Sequence, residues 1–525
     1  MRVLGIEGTA WCASAALYDS GTGSVVVESD AYEPERGGIH PREAAEHMRS
    51  AIPAVVAEIL EEADGDVDAV AFSRGPGLGP CLRIVGSAAR ALAQTLDVPL
   101  VGVNHMVAHL EIGRHESGFD APVCLNASGA NAHVLAYRNG RYRVLGETMD
   151  TGVGNALDKF TRHVGWSHPG GPKVEEHARA GEYTELPYVV KGMDFSFSGI
   201  VSAAKDAYDG GVPVEDVCRG LEETVFAMLA EVSERALSLT GRDELVLGGG
   251  VGQNERLRGM LAAMCEQRGA EFHAPEPRFL RDNAGMIAVL GAKMAAAGDT
   301  LAVADSAIDS QFRPDEVDVT WRDPEPPARP DGDVVQGAEA TVRFEGDRVV
   351  KARLPKGYRH GALDARLRRD RTVLEARLTS DARRVGVPTP LVWDVDVPEA
   401  TLVLQRVGDA DLRDALGEAR VRDVGRHLAA VHADGFVHGD PTTRNVRLSA
   451  VGGDDRTFLI DFGLGYYTDD VEDYAMDCHV FEQSLAGTAD DPGPLVAAFE
   501  DAYRTAGDPG VLEQLRAIEG RGRYQ

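Results

Sequence analysis

Two histidines four residues apart, His105 and His109, are the first candidates for chemistry in this chain of 525 residues. Asn104 before them is a favourable helix N-cap, so both imidazoles should lie on one helix face and could share a metal ion. A metallopeptidase of the His-Glu-x-x-His type is disfavoured, because Met106 occupies the position of its glutamate. We expect the third ligand to be Asp282, an exposed carboxylate at the start of a helix. Two ordinary surface or core histidines would give the same spacing.

A second group of candidate residues lies in the C-terminal third of the sequence. Asp440 precedes Asn445 by five positions, and Asp461 begins the tripeptide Asp461-Phe462-Gly463 after an apolar strand. This order matches the residues of phosphoryl transfer, in which an aspartate acts as catalytic base and a later asparagine and aspartate bind magnesium. We therefore predict Asp440 as the base, and Asn445 and Asp461 as ligands of Mg-ATP.

Residues upstream of Asp440 could complete an ATP site. Lys351 ends a predicted strand, and lysine is a point charge suited to nucleotide phosphates. Glu375 lies on a charged helix predicted for residues 366–378 and could pair with Lys351. The turn predicted to cover the phosphates consists of Gly337, Ala338, Glu339 and Ala340.

Strands and glycine-rich turns must position the histidines in the N-terminal part. Two strand-turn-strand units are predicted at 3–18, with its turn at 7–10, and at 123–137, with its turn at 126–131. A third strand at 244–247 leads through glycines into a helix from about Asn254. Backbone N–H groups in such turns can bind phosphates, although one glycine turn alone also fits an ordinary hairpin. Three such units in this order resemble the two-lobed α/β fold of the actin/sugar-kinase/heat-shock ATPase (ASKHA) superfamily.

Residues between the second and third units could bind a ribose. Asp158 and Glu175 offer carboxylates to ribose hydroxyls, and Gly170-Gly171 permits close approach of the backbone. A local cap at Asp158 and a simple turn at the two glycines would explain the same residues.

Composition narrows the class of protein. The net charge is -30, and seven of the 54 basic residues are lysines. This fits a halophilic cytosol, in which salt screens the acidic surface, or an acidic protein that avoids nucleic acid. The sequence contains no run of about 18 apolar residues, which a membrane-spanning helix would need. Glu7 lies where a signal peptide would have its apolar core, and the six cysteines are scattered. We therefore predict a cytoplasmic protein without disulfides or membrane contact, in which arginine patches or partner subunits contact any RNA.

A proline-rich and acidic segment divides the chain. Residues 323–333 have no apolar periodicity, which predicts an extended linker. We predict an α/β domain at 1–322 and a small α+β domain at 334–525.

The N-terminal motifs resemble those of the universal tRNA threonylcarbamoyltransferase family in its archaeal and eukaryotic KEOPS form. The matching segments are 5–10, 104–109, 128–131, 154–158, 168–172 and 249–254. The resemblance implies transfer of a threonylcarbamoyl group from threonylcarbamoyl-AMP to the adenosine 3′ of the anticodon, in tRNAs that read codons beginning with A. It also implies small KEOPS subunits as partners.

The same resemblance assigns roles to single residues. His105, His109 and Asp282 would hold one divalent metal ion, with iron favoured over zinc. At Asn126 the KEOPS pattern has a tyrosine, which is a stronger ligand, so water or substrate could complete the metal shell in this chain. The substrate-binding residues would be Asn126, Ala127, Ser128, Gly129, Ala130, Asp158, Gly171, Glu175 and Asn254.

The C-terminal motifs resemble the atypical serine/threonine kinase/ATPase associated with KEOPS (piD/Bud-type), which is fused to the transferase in some archaea. Three departures from ordinary protein kinases indicate a minimal kinase-like fold: no Gly-x-Gly-x-x-Gly is present, Gly439 replaces the catalytic-loop arginine, and nothing after Gly463 resembles Ala-Pro-Glu. The basic residues 521–525 could contact tRNA phosphates or simply fray.

The whole chain is therefore predicted to be a bifunctional tRNA-modification protein. Its second domain would bind Mg-ATP and support or regulate the transferase. The alternatives are a chaperone-like ATPase regulated by its own fused kinase, a metallopeptidase and a non-catalytic scaffold. The first alternative predicts protein phosphorylation that is independent of tRNA.

Overall fold

The computed structural model describes residues 1–32, 40–138, 140–322, 334–449 and 456–521. Two compact units are present: the first contains the described residues of Met1–Val189 and 196–322, and the second contains Val190–Phe195 and 334–521. The predicted linker at 323–333 and the tail at 522–525 lie outside the described residues, so the predicted domain boundaries stay predictions. No helix in the described part of the chain has the length and apolarity needed to cross a membrane.

The first unit begins with a five-stranded sheet in the order β3-β2-β1-β4-β5. Its strands are β1 Arg2–Glu7, β2 Cys12–Asp19, β3 Ser24–Ala31, β4 Ala69–Gly75 and β5 Leu100–Asn104. The first three strands form an antiparallel meander, and β4 and β5 continue the sheet parallel to β1. Gly5 permits close packing of helix α10 (Ala284–Ala296), since a Cβ on Gly5 would lie 2.5 Å from the carbonyl oxygen of Ala284.

A second sheet in the same unit repeats this topology. Its strands are β6 Val123–Ala127, β7 Ala132–Arg138, β8 Arg141–Glu147, β11 Glu244–Gly248 and β12 Glu271–His273, and their order is β12-β11-β6-β7-β8. Again an antiparallel meander is followed by strands parallel to its first member. The predicted two-lobed α/β fold is therefore confirmed for the first unit. The prediction that Asn126 and Ala127 form a turn is wrong, because both residues continue β6 and pair with β7.

Helices cover the two sheets of the first unit. They are α1 Pro41–Glu62, α2 Gly79–Leu96, α3 His105–Ser117, α4 Val153–Val164, α5 Gly171–Ala178, α6 Ser198–Asp209, α7 Val214–Thr240, α8 Glu255–Arg268, α9 Pro277–Leu280 and the α10 helix already introduced. One hydrophobic core lies between the first sheet and helices α1 and α2. A second core surrounds α3 and α10 and contacts both sheets, so α3 is held between the two lobes.

The second unit combines an antiparallel sheet with a helical part. The strands are β9 Val190–Lys191, β10 Asp194–Phe195, β13 Val334–Gln336, β14 Ala340–Glu345, β15 Arg348–Arg353, β16 Val392–Asp396, β17 Thr401–Gln405, β18 Ala410–Asp411, β19 Phe436–Val437, β20 Val446–Ser449, β21 Arg456–Leu459 and β22 Tyr466–Tyr467. The helices are α11 Gly361–Arg384, α12 Glu418–Ala433, α13 Val471–Thr488, α14 Gly493–Ala506 and α15 Pro509–Arg521. The main sheet has the order β13-β14-β15-β17-β16 and packs against α11. Lys351 does not end its strand as predicted, because β15 continues to Arg353.

Candidate functional site

Helix α3 buries both predicted histidines. The Asn104 side chain caps this helix by accepting hydrogen bonds from the backbone N–H groups of Met106 and Val107, at 3.0 and 3.1 Å. The rings of His105 and His109 lie edge to face, with centroids 4.9 Å apart. The predicted cap and the shared helix face are confirmed.

Asp282 reaches both histidines. Its Oδ1 lies 3.3 Å from His105 Nε2 and 3.5 Å from His109 Nε2. One possible ligand atom from each of the three residues lies within 4.8 Å of the other two. The prediction that Asp282 is exposed and begins a helix is wrong, because its side chain is 18% exposed and Asn283 caps α10 instead. Since the asparagine takes the cap, the carboxylate one residue earlier is directed to the histidines.

Glu7 is a further member of this cluster that the sequence analysis did not single out. This carboxylate is fully buried at the end of β1, and its Oε2 lies 3.1 Å from His105 Nδ1. Its Oε1 accepts a hydrogen bond from the backbone N–H of Thr9 at 2.7 Å. A carboxylate on Nδ1 orients the imidazole and leaves Nε2 directed to a metal. An acid directly after the apolar run from Val3 to Ile6 was the available signal.

The carboxylates change the protonation of the histidines. Burial lowers the pKa of His105, but Glu7 and Asp282 together outweigh burial and raise it to about 10. Burial lowers the pKa of His109 below its ordinary value. Burial opposes ionisation of Asp282, yet the two histidines outweigh it and lower the pKa of this carboxyl. The cluster therefore holds an ionised Asp282 between two imidazoles whose pKa values are shifted in opposite directions.

Two imidazoles and one carboxylate form a donor set suited to iron or zinc. Both ring nitrogens of His109 are buried and have no hydrogen-bond partner within the described residues. Buried polar atoms are almost always bonded, so His109 Nε2, which lies 3.5 Å from Asp282 Oδ1, fits the binding of a metal ion. His105, His109 and Asp282 thus fit the metal that the family resemblance implies.

The turn after β6 contacts the start of helix α4. Backbone N–H groups at the start of α4 donate hydrogen bonds to the carbonyl oxygens of Ser128, at 3.2 Å, and Gly129, at 2.8 Å. Ala130 follows in the same turn, whereas Asn126 and Ala127 are buried in the strand. Within residues 126–130, only Ser128, Gly129 and Ala130 therefore offer backbone groups at the protein surface for a ligand.

Asp158 and the diglycine form a local structure. Asp158 Oδ1 accepts a hydrogen bond from the backbone N–H of Gly170 at 2.6 Å, and its Oδ2 lies 3.1 Å from His168 Nδ1. Gly171 then begins helix α5. These contacts match the alternative in which Asp158 shapes the loop locally.

Glu175 and Asn254 meet at the start of helix α8. Asn254 caps this helix by accepting from Leu257 N at 3.0 Å, and Glu175 accepts from Glu255 N at 3.0 Å. Glu222, which the sequence analysis missed, accepts from Asn254 Nδ2 at 3.1 Å. Burial raises the pKa of Glu222 to about 7, and the nearby Glu175 carboxylate acts in the same direction. Glu222 is therefore a titratable group next to a predicted substrate-binding residue.

In the second unit, Lys351 contacts two carboxylates. Its Nζ lies 2.9 Å from Glu375 Oε1 and 2.6 Å from Asp461 Oδ1. Burial lowers the pKa of Lys351, but Asp461 and Glu375 outweigh burial and raise it. Arg353, which the sequence analysis missed, also donates to Glu375. The predicted pair of Lys351 and Glu375 is present, and Asp461 joins it.

The predicted phosphate turn closes a hairpin near this cluster. The backbone N–H of Gly337 donates to the carbonyl oxygen of Ala340 at 3.0 Å, so Ala338 and Glu339 lie at the tip. The Glu339 side chain pairs with Arg371 at 2.6 Å. The turn is thus tied to α11, the helix that also contains Glu375.

The predicted catalytic loop positions Asp440 beside Asn445. Asn445 Nδ2 donates to Asp440 Oδ2 at 3.0 Å and to its carbonyl oxygen at 2.8 Å. The side chain of Asp477 accepts hydrogen bonds from the backbone N–H groups of His438 and Gly439, at 2.6 and 2.8 Å. Gly439 has φ +84°, and a Cβ on it would lie 2.2 Å from a backbone oxygen. The arginine of ordinary kinases would therefore not fit at this position.

Repeated sheet topology and a buried His-His-carboxylate cluster define the first unit as a two-lobed α/β protein with a candidate metal centre. Residues 22–289 match the family described as tRNA N6-adenosine threonylcarbamoyltransferase (TsaD). A protein of Halobacterium salinarum, named a probable bifunctional tRNA threonylcarbamoyladenosine biosynthesis protein, is 82% identical over 100% of this chain and 99% of its own length. Proteins of the same name from Haloarcula marismortui and Methanospirillum hungatei are 71% and 50% identical, over 100% and 99% of this chain and 100% and 99% of their own lengths.

The chain belongs to the TsaD family of tRNA N6-adenosine threonylcarbamoyltransferases. It functions in the biosynthesis of threonylcarbamoyladenosine in tRNA, so the predicted acyltransferase activity and tRNA substrate are confirmed. The family match favours this function over the chaperone-like ATPase, the metallopeptidase and the scaffold.

Proposed function

We propose that the first unit transfers the threonylcarbamoyl group from threonylcarbamoyl-AMP to the N6 amine of the adenosine 3′ of the anticodon, in tRNAs that read codons beginning with A. The amine would form a C–N bond to the carbamoyl carbonyl carbon, the C–O bond to AMP would break, and the amine would release one proton. The cluster of His105, His109 and Asp282 supports this proposal, because a family transferase needs such a metal centre and these residues fit one.

In this proposal, His105, His109 and Asp282 hold one divalent ion, iron or zinc. When bound, the ion supplies Lewis-acid stabilisation and orients the mixed anhydride. Glu7 fixes the orientation of the His105 ring through Nδ1. AMP is a good leaving group, so holding the two substrates in register supplies much of the rate enhancement.

The adenylate would lie against the turn of Ser128, Gly129 and Ala130. Glu175 and Asn254, which meet at the start of α8, would contact its ribose. Glu222 supports this assignment, because its hydrogen bond orients the Asn254 amide. Asp158 would act indirectly, by shaping the loop that contains Gly171.

The second unit would bind Mg-ATP and act as an atypical serine/threonine kinase or ATPase that supports the transferase. Lys351 would contact the phosphates, Asn445 and Asp461 would bind magnesium, and Asp440 would act as the base. The contacts of Lys351 with Glu375 and Asp461 support this proposal, since phosphoryl transfer needs a lysine held beside a magnesium ligand. The turn at Gly337 to Ala340 would cover the nucleotide.

Small partner subunits would bring tRNA to this chain. The net charge of -30 repels a polyanion at low salt, so basic partner surfaces or local arginines must offset it. We expect the isolated chain to bind tRNA weakly and the chain with KEOPS subunits to bind it well.

The transferase is tested by incubating the full chain, in high potassium chloride, with threonylcarbamoyl-AMP and unmodified tRNA that reads a codon beginning with A. Digested nucleosides are then analysed by mass spectrometry. We expect threonylcarbamoyladenosine in the presence of partner subunits, lost in His105→Ala and kept in His115→Ala, a matched histidine on the same helix. The absence of product with every partner fraction would exclude the transferase for this chain.

The ATP site is tested by release of labelled phosphate from ATP in magnesium. We expect hydrolysis or protein phosphorylation by the full chain and its loss in Lys351→Met. Turnover that is unchanged in this variant would exclude the proposed site.

A further inference from the structure

His133 is a buried histidine to which the mechanism above gives no role. It lies on β7, its side chain is 4% exposed, and its Nε2 has no hydrogen-bond partner in the described part of the chain. Burial lowers the pKa of His133 to about 3, so the ring is neutral. A buried imidazole nitrogen without a hydrogen bond is destabilising and needs an explanation.

The strand register places His133 in a row with Asn126. Across the second sheet, Gly248 pairs with Asn126, and Asn126 pairs with His133. Directly paired residues of neighbouring strands direct their side chains to the same face of a sheet. A Cβ on Gly248 would lie 3.3 Å from the Cβ of His109. The face that carries Asn126 and His133 is therefore the face packed against the metal cluster.

Asn126 shows the same lack of partners as His133. Its Nδ2 contacts the sulfur of Met106 at 3.6 Å, and its Oδ1 is buried without a hydrogen bond from any described residue. Neighbouring His109 has two such nitrogens. Four buried polar atoms without a partner among the described residues thus lie on this sheet face and on the helix packed against it. One bound water with two to four polar partners satisfies such atoms together.

We propose that His133 is a positioning residue of the metal site, acting through a water that its Nε2 and Asn126 Oδ1 share. Direct ligation is not the role that the structure supports, because among the described residues only His105, His109 and Asp282 offer ligand atoms within 4.8 Å of one another. The shared water would lie beside His105, His109 and Asp282, the residues that would hold the metal. This inference rests on the metal centre of the proposed function.

The test uses the full chain with cobalt(II), whose visible absorption reports the ligands around it. Cobalt affinity is measured by competition with a chelator, and the spectrum is recorded for the parent, His133→Leu and His133→Gln. We expect His133→Leu to bind cobalt about 10-fold more weakly and to shift the absorption bands, since outer-shell partners of metal ligands contribute about 10–100-fold to affinity. His133→Gln keeps a hydrogen-bonding group and should fall between the parent and His133→Leu.

His115→Leu is the matched control, because His115 lies on α3 and packs edge-on against Tyr18. Parent-like affinity and absorption in a folded His133→Leu would overturn the inference while leaving the metal centre intact. Should His133→Leu fail to fold, His133→Ala replaces it: a shifted spectrum supports the inference and an unchanged one overturns it. If cobalt binding to the parent is absent, or is unchanged in His105→Ala, the proposed metal centre is wrong, and the inference fails with it.

Discussion

The charged groups of the two candidate sites have different partners. In the first unit, Asp282 lies between two imidazoles, and neither nitrogen of His109 has a hydrogen-bond partner among the described residues. In the second unit, Lys351 already contacts both Glu375 and Asp461, at 2.9 and 2.6 Å. The first site gains partners when a cation is added, whereas in the second site an added cation competes with a lysine.

This difference in partners indicates which ligand each site binds and how. Unpartnered nitrogens favour a resident metal ion, because binding it removes an existing desolvation cost. Lys351 neutralises Glu375 and Asp461, so the second site is stable without nucleotide. Mg-ATP must therefore replace part of the contact between Lys351 and these carboxylates when it binds. We therefore expect metal binding to stabilise the first unit, and nucleotide binding to the second unit to require magnesium.

The largest effect is expected from removing both metal ligands of α3. The double variant His105→Ala/His109→Ala should lose threonylcarbamoyl transfer by on the order of 1000-fold, because the Lewis acid is lost. ATP turnover should stay within about twofold of the parent value, because the proposed ATP site consists of residues of the second unit. Nucleoside mass spectrometry and phosphate release measure the two activities. Equal losses of both activities would contradict the separation of the sites.

Glu375→Gln tests whether the ion pairs of Glu375 with Lys351 and Arg353 stabilise the second unit. It leaves Lys351 and Arg353 buried with less counter-charge, so we expect unfolding of the second unit to become easier by about 3 kcal/mol. Denaturant unfolding of the full chain, followed by spectroscopic probes in each unit, measures this change. Glu399→Gln, at an exposed position, is the control. An unchanged midpoint for Glu375→Gln would show that this ion-pair cluster does not stabilise the unit.

Asp440→Asn separates chemistry from binding in the second unit. Loss of a general base should lower phosphate release by about 100-fold. ATP affinity should change little, because Lys351 and Asp461 remain in place. Isothermal titration gives the affinity, and Asp434→Asn, an exposed aspartate near the loop, is the control. A large loss of affinity instead of turnover would give Asp440 a binding role.

The smallest effect is expected from Glu222→Gln. The pKa of Glu222 is raised to about 7, so its contribution to stability is full below the unfolded pKa and is lost as pH rises through about 7. The variant should therefore gain stability relative to the parent between pH 5 and 8, by about 2 kcal/mol. Thermal unfolding at a series of pH values measures this gain. A constant difference across this range would show that Glu222 does not titrate there.

Local signals made most of the fold predictable. Asn104 before His105 predicted a cap and a helix, and the structure has both. Alternation of apolar strands with glycine turns predicted the two lobes, which appear as two sheets of one topology. The error at Asn126 and Ala127 arose because a polar residue within an apolar strand looks like the start of a turn. Burial between two neighbouring strands overrides that local preference.

Long-range contacts were not predictable in the same way. Glu222 lies 32 residues before Asn254 on a helix that is buried on all sides, and no spacing rule connects the two. Arg353 reaches Glu375 only because β15 continues past Lys351 and directs alternate residues to one face. These contacts depend on how the elements pack.

By itself, the sequence determined which chemical groups are available. These are two histidines on one helical face, a lysine on a strand, and Asp440, Asn445 and Asp461 in this order along the chain. Caps, turns and periodicity act over a few residues, so they are present in the sequence alone. Only the tertiary structure decided which groups meet. It brought Glu7 to His105 across 98 positions and turned Asp282 inward behind the cap of α10. Such long-range contacts depend on strand register and helix packing. Both are selected over the whole fold, because burying an unpaired charge is costly, and no local sequence pattern encodes them.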